Sequence, residues 1–132
     1  MKSAAYRAAR LSVLLVNVCA MALSIGMVTI DCSEPQLARF WTAALGTMVA
    51  GDYGEFVLLA GTPALGLQKV SEPRAGKNRV HLDLHTDDRA AEVARLTALG
   101  ASALAEHSAP GLWWTVLADP EGNEFCVGSH QG

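Results

Sequence analysis

Charge is scarce in this chain: Asp, Glu, Lys and Arg make up 17% of its 132 residues, against 51% hydrophobic ones. That balance excludes a self-repelling disordered chain and predicts thorough burial in one domain. No lysine or arginine run is present and the net charge is −3, which excludes a nucleic-acid partner held through a basic stripe. The three cysteines, Cys19, Cys32 and Cys126, are odd in number and form no CxxC pair. Neither a disulfide framework nor a zinc finger is expected from them, and a reducing, cytoplasmic compartment suits them. The apolar stretch over residues 11–25 falls short of the ~20 residues a membrane span needs, and Asn17 interrupts it, so no stable span is expected.

Lys2, Arg7 and Arg10 precede that stretch, which ends near Ala20, Met21 and Ala22 in the manner of a secretory signal. An upstream extension, or a start at Met27, would account for the same residues. We set residues 1–24 apart as an extension or signal-like segment; if residues 1–22 are a signal, the protein is exported.

From Ile25 onward one pattern occurs twice. A β-branched run at 25–32 is followed by Ser33 as a helix cap, Pro35 in the first turn and Gln36 closing a capping box. Leu37, Phe40, Trp41 and Ala44 then fall on one helical face, ending at Gly46. Short strands are predicted around 47–50, 55–60 and 65–70, and the polar segment 71–78 reads as a linker. The pattern restarts with a strand at 80–85, a cap at Thr86 or Asp87, and a helix with Ala90, Val93 and Leu96 on one face. Strands follow at 102–106, 112–118 and 124–128. Asp119-Pro120-Glu121-Gly122-Asn123 joins the last two as a type I turn. An offset of 54 residues places Gly46 on Gly100 and Met27 on His81; an offset of 58 places Gln68 on Cys126. The expectation is an α+β domain at 25–130 made of two βαβββ modules, 25–70 and 79–130. Each helix should cover its own sheet, leaving the opposite faces to form a shared pocket.

The strand Val80-His81-Leu82-Asp83-Leu84, the segment Gly76-Lys77-Asn78-Arg79 and the turn running through Glu124-Phe125-Cys126 resemble a glyoxalase-like domain of the vicinal oxygen chelate superfamily. That superfamily includes glyoxalase I, extradiol dioxygenases and bleomycin-binding proteins that perform no chemistry. The resemblance implies a small molecule bound between the modules and a divalent metal chelating its vicinal oxygens. If the chain is an enzyme, it implies a lyase or dioxygenase-like one. Carried over by position, the metal ligands would be Met27, Gln68, His81 and Cys126. His81 and Gln68 are the two suited to the role, the thioether and thiol being soft donors, so the usual ligand set is incomplete and the cofactor stays open.

His81 is the candidate catalytic residue, with Asp83 and His85 alternating onto its face. A histidine merely satisfied by Asp83 is the plainer alternative. Gln68, Asp83, His85, Trp113, Trp114 and Cys126 are the candidate substrate-binding residues. Trp113 and Trp114 must face opposite sides, so at least one is expected in the core. Glu124 would supply a missing carboxylate only if its strand slipped by two residues. Asp119 and Asn123 are assigned to the turn. Three functions follow: an enzyme using His81, a sequestering protein that binds a planar antibiotic-like ligand, and a homodimer pairing through strand edges.

Overall fold

A computed structural model describes residues 23–130. Strand β1 (Met27–Cys32) alternates as its sequence predicts, with Val28, Ile30 and Cys32 toward the core and Met27, Thr29 and Asp31 exposed. Helix α1 (Leu37–Leu45) buries Leu37, Phe40, Trp41 and Ala44. It ends at Gly46, whose φ of +61° is the left-handed closing conformation glycine adopts freely. The helix start departs from expectation. Ser33 caps nothing there; a tight turn from the Leu37 N–H to the Glu34 carbonyl opens the helix, and Ser33 bonds Glu121 of the other half instead.

Strands β2 (Val49–Asp52), β3 (Phe56–Leu59) and β4 (Ala64–Lys69) complete the first sheet in the order β1-β4-β3-β2, with β1 parallel to β4. The second half repeats this with β5 (Asp83–His85), α2 (Arg89–Ala98), β6 (Ser102–Ala109), β7 (Leu112–Ala118) and β8 (Glu124–Ser129). Its order is β5-β8-β7-β6, and β5 is parallel to β8. The fold is therefore α+β, two βαβββ modules in succession.

Two local expectations for the second module are corrected. The regular strand spans only Asp83–His85, because pairing with β8 starts where the Leu82 carbonyl takes the Cys126 N–H at 2.8 Å. His81 thus lies just ahead of the strand. The α2 cap is Asp88, whose Oδ1 accepts the Ala91 N–H at 3.0 Å, while the Thr86 hydroxyl takes the Asp88 N–H and orients the cap. The α2 stripe is also thin, with Leu96 buried, Val93 half-buried and Ala90 exposed.

The helices do not keep to their own sheets. Phe125 of β8 packs against both Phe40 and Trp41 of α1, with ring centroids 6.2 and 4.9 Å apart, so one aromatic cluster serves both modules. Trp41 Nε1 donates to Asp119 Oδ2 at 3.1 Å across the same seam. Asp119 Oδ1 meanwhile accepts the N–H groups of Glu121 and Asn123, and the Gly122 N–H closes onto the Asp119 carbonyl at 2.9 Å. The turn is thereby shaped and tied to α1 by one buried carboxylate. Arg95 of α2 donates to the carbonyls of Ala43 and Ala44 in the last turn of α1, where the helix's own donors run out. Among the described residues no helix is long and apolar enough to cross a membrane; the signal-like residues 1–22 lie outside them.

Candidate functional site

A cleft of about 890 Å³ opens at the seam between the sheets. One wall is β1, the other is Val80 to Leu82 with the start of β8, and residues 71–79 run over it. The segment expected to be only a linker therefore forms part of the cleft wall. Its breaker-rich composition announced a loop but not what the loop would cover. Two residues of the cleft wall, Asn78 and Glu124, each hold a buried side-chain oxygen, Oδ1 and Oε2, without a hydrogen-bond partner. Buried acceptors of this kind require a donor.

Of the predicted site residues, His81 lines the cleft itself. Asp83 and Cys126 stand beside it. His81 Nδ1 lies 3.3 Å from Asp83 Oδ1 and 4.0 Å from Cys126 Sγ, and Asp83 and Cys126 are paired in register between β5 and β8. Nδ1 is occupied by these neighbours, which leaves Nε2 for a ligand. Burial pushes the Cys126 thiol up from its ordinary pKa; the charge of Asp83 and its hydrogen bond add to this, against Lys77. Cys126 is therefore a thiol at neutral pH. Burial, with the charges of Glu121, Asp31, Asp119 and Glu34, raises Cys32 to about 11.

The remaining candidates are dispersed. Gln68 belongs to the first sheet, and its amide nitrogen donates to the carbonyls of Glu55 and Lys69 at 3.2 and 3.1 Å. His85 packs against His130, ring centroids 4.9 Å apart. Trp114 stacks on His107 at 5.4 Å on the face turned away from α2, while Trp113 shares the face of Thr115, which bonds Arg89 of α2. Both indoles are half-buried, so the expected core tryptophan of this pair is absent: their strand lies beside the exposed β6. All four histidines, His81, His85, His107 and His130, stand along that helix-free side of the second sheet. Strand alternation made this legible for two of them; the pairing of β6 with β7 and the position beyond β8 bring the others.

A glyoxalase-like domain model matches residues 27–128, spanning both modules. The chain belongs to the glyoxalase-like domain family. Solved structures agree in fold. A glyoxalase/bleomycin resistance protein/dioxygenase family enzyme from Burkholderia phytofirmans PsJN superposes with a TM-score of 0.70 at 20% identity, over 81% of this chain and 98% of that one. A glyoxalase-related enzyme from Fulvimarina pelagi gives 0.67 at 15% identity, over 82% and 88%. Lactoylglutathione lyase from Agrobacterium tumefaciens gives 0.62 at 18% identity, over 82% and 94%. No curated protein matches the chain.

The family's oxygen-chelating ion, held from both modules, does not fit the residues at those positions. Gln68 offers a neutral amide oxygen on a side chain whose nitrogen is held by two backbone carbonyls, Met27 is a half-exposed thioether, and Cys126 is a thiol. Nor does Glu124 replace it. The β7–β8 register runs without a bulge, pairing Glu124 with Ala118 and leaving Cys126 opposite Val116.

Proposed function

We propose that residues 25–130 bind a small organic molecule in the cleft between the two modules, and that its N–H or O–H groups meet Asn78 and Glu124 while its polar centre meets His81. The unpartnered buried acceptors of two cleft-wall residues carry this reading, because a ligand toward which Asn78 and Glu124 turn would remove a desolvation cost of about 1–3 kcal/mol each. Catalysis is the stronger form of the proposal: Asp83 orients the His81 ring, the arrangement in which an imidazole accepts a proton from a substrate. Sequestration without turnover, as in bleomycin-binding relatives, is the weaker form. Self-association would use β6, exposed along its whole length at a sheet edge.

The test is titration of the purified chain with catechol, lactoylglutathione and bleomycin, followed by tryptophan fluorescence and product analysis. A saturable signal that weakens at least tenfold in both His81→Ala and Glu124→Gln supports the reading; accompanying product makes the chain an enzyme. A signal indifferent to both substitutions removes the cleft as the binding site. Sedimentation of the free chain reports on the dimer.

A further inference from the structure

Ten large apolar side chains stand exposed among the described residues, and six of them, Leu23, Ile25, Met27, Leu45, Met48 and Val49, gather at one end of the first module. Strand pairing puts them there. Met27 opens β1 opposite Ala64, Val49 opens β2 opposite Leu59, and Leu59 lies beside Leu65. The Ala60 N–H donates to the Met48 carbonyl and the Ala64 N–H to the Gly26 carbonyl, which ties Met48 and the residues ahead of β1 to that end of the sheet. Leu45 joins them because α1 stops there, and the Thr47 hydroxyl that follows donates to the Ala60 carbonyl. The six range from 41% exposed at Leu45 to fully exposed at Leu23.

We propose that this end of the first module rests on an anionic lipid surface, with residues 1–22 supplying the cationic part of the contact. The inference goes beyond the small-molecule reading and does not depend on it.

Charge is missing where the apolar side chains collect. None of residues 23–27, 45–49 and 59–64 is charged, whereas the opposite end of the same sheet carries Asp31, Glu34, Asp52, Glu55 and Lys69. The fold does not demand this. At the corresponding end of the second module, reached by the same internal offsets, stand Lys77, Arg79, Asp119 and Glu121. Arg95, which borders Leu45 through the Ala44 carbonyl, is neutralised by Glu92 at 2.7 Å. Single exposed apolar residues are ordinary, but a charge-free group of them marks a surface that a partner or a lipid covers.

The sequence leading into the patch selects lipid. Residues 1–22, outside the described ones, run directly into Leu23. They carry Lys2, Arg7 and Arg10 ahead of the apolar run, and no acidic residue occurs before Asp31. A membrane surface calls for this sorting: anionic headgroups attract the cations while the acyl boundary takes up the apolar side chains. The run is too short to span a bilayer, so the contact lies along the surface. Patch and basic segment are two weak signals that together hold a protein there.

The experiment is flotation of the untagged full chain, its N-terminus verified by mass, with vesicles of phosphatidylcholine containing about one-third phosphatidylglycerol. Binding is expected, at least about tenfold weaker on phosphatidylcholine alone and in high salt, which screens the headgroup charge. Met48→Glu and Ile25→Glu should each weaken it by about tenfold or more, because each carries a charge into the acyl boundary. Leu104→Glu makes the same charge change at an exposed residue of β6 and should leave binding unchanged. Removal of residues 1–22 should abolish the preference for anionic vesicles. Circular dichroism identifies a variant that fails to fold, and the other patch variant then decides. Absence of binding by the full chain, undiminished binding in either folded patch variant, an equal loss in Leu104→Glu, or an anionic preference that survives removal of residues 1–22 overturns the inference. So does a dimer that Met48→Glu dissociates without any vesicle binding, which would assign the patch to a second copy. Cleft titrations are run without vesicles, so either idea fails without the other.

Discussion

In the first module, α1 buries Leu37, Ala38, Phe40, Trp41 and Ala44; in the second, α2 buries only Leu96. The helix-free side shows the reverse. The first sheet presents Met27, Thr29 and Gln68 there, whereas the second carries all four histidines with Asp83 and Cys126. Two copies of one topology have diverged, the first supplying much of the shared core and the second much of the titratable chemistry. A duplicated fold permits this because the core is common: Phe125 of β8 lies against α1, so the second module obtains burial from the first.

The largest test of that division is truncation of the core. Trp41→Ala removes a residue 1% exposed, its contacts with Phe40 and Phe125, and the donor to Asp119, and should cost about 4 kcal/mol in chemical denaturation. Val93→Ala on α2, half-buried, should cost about 1 kcal/mol. Equal losses would show that the helices share the core evenly and would break the contrast.

A smaller effect separates the sheets. A Cβ on Gly66 of β4 would stand 2.7 Å from the Phe56 ring and 3.0 Å from the Thr29 hydroxyl; one on Gly128 of β8 would meet nothing closer than 3.6 Å. Gly66→Ala should therefore cost about 2 kcal/mol through overpacking, whereas Gly128→Ala should stay within about 0.5 kcal/mol. Thermal denaturation of the pair checks this. A tolerated Gly66→Ala would mean that Phe56 swings aside and that the first sheet is looser than its packing implies.

Much of this arrangement was legible in the sequence because it rests on period and local chemistry. The α1 stripe, the Gly46 stop, the turn at 119–123 and the order of strands all follow from spacing, and the two offsets expose the duplication. Contacts across the seam were not legible. Nothing local distinguishes Phe125 as the partner of Trp41, or says that Asp119 accepts from an indole 78 residues away. Ser33 shows the same limit. As a cap it would accept a helix N–H, the natural reading of its own segment, but its hydroxyl and N–H instead donate to a carboxylate from the opposite module. For the site, alternation alone placed His81 with Asp83. Cys126 joined them only through the β5–β8 register, while Gln68, equivalent to Cys126 by internal offset, was drawn off by the carbonyls of its own sheet.

Glu121 offers the smallest and most local test, because it joins the modules rather than distinguishing them. Its carboxylate accepts from the Ser33 hydroxyl, the Ser33 N–H and the Glu34 N–H just ahead of α1. Burial alone would raise its pKa, but the bonds from Ser33 and Glu34 outweigh it and hold the carboxyl below the ordinary value of 4.5. The folded state therefore binds fewer protons here than the unfolded state. Stability from this contact is full above pH 4.5 and is lost as the pH falls through the depressed folded value. Glu121→Gln should cost about 1 kcal/mol at neutral pH and flatten the acid limb of the stability curve, since the amide keeps an acceptor but loses the charge. Urea denaturation of the two proteins between neutral and acid pH measures both effects. If the curves stay parallel, the contact makes no pH-dependent contribution, and the acid sensitivity of the seam lies outside the Glu121–Ser33 contact.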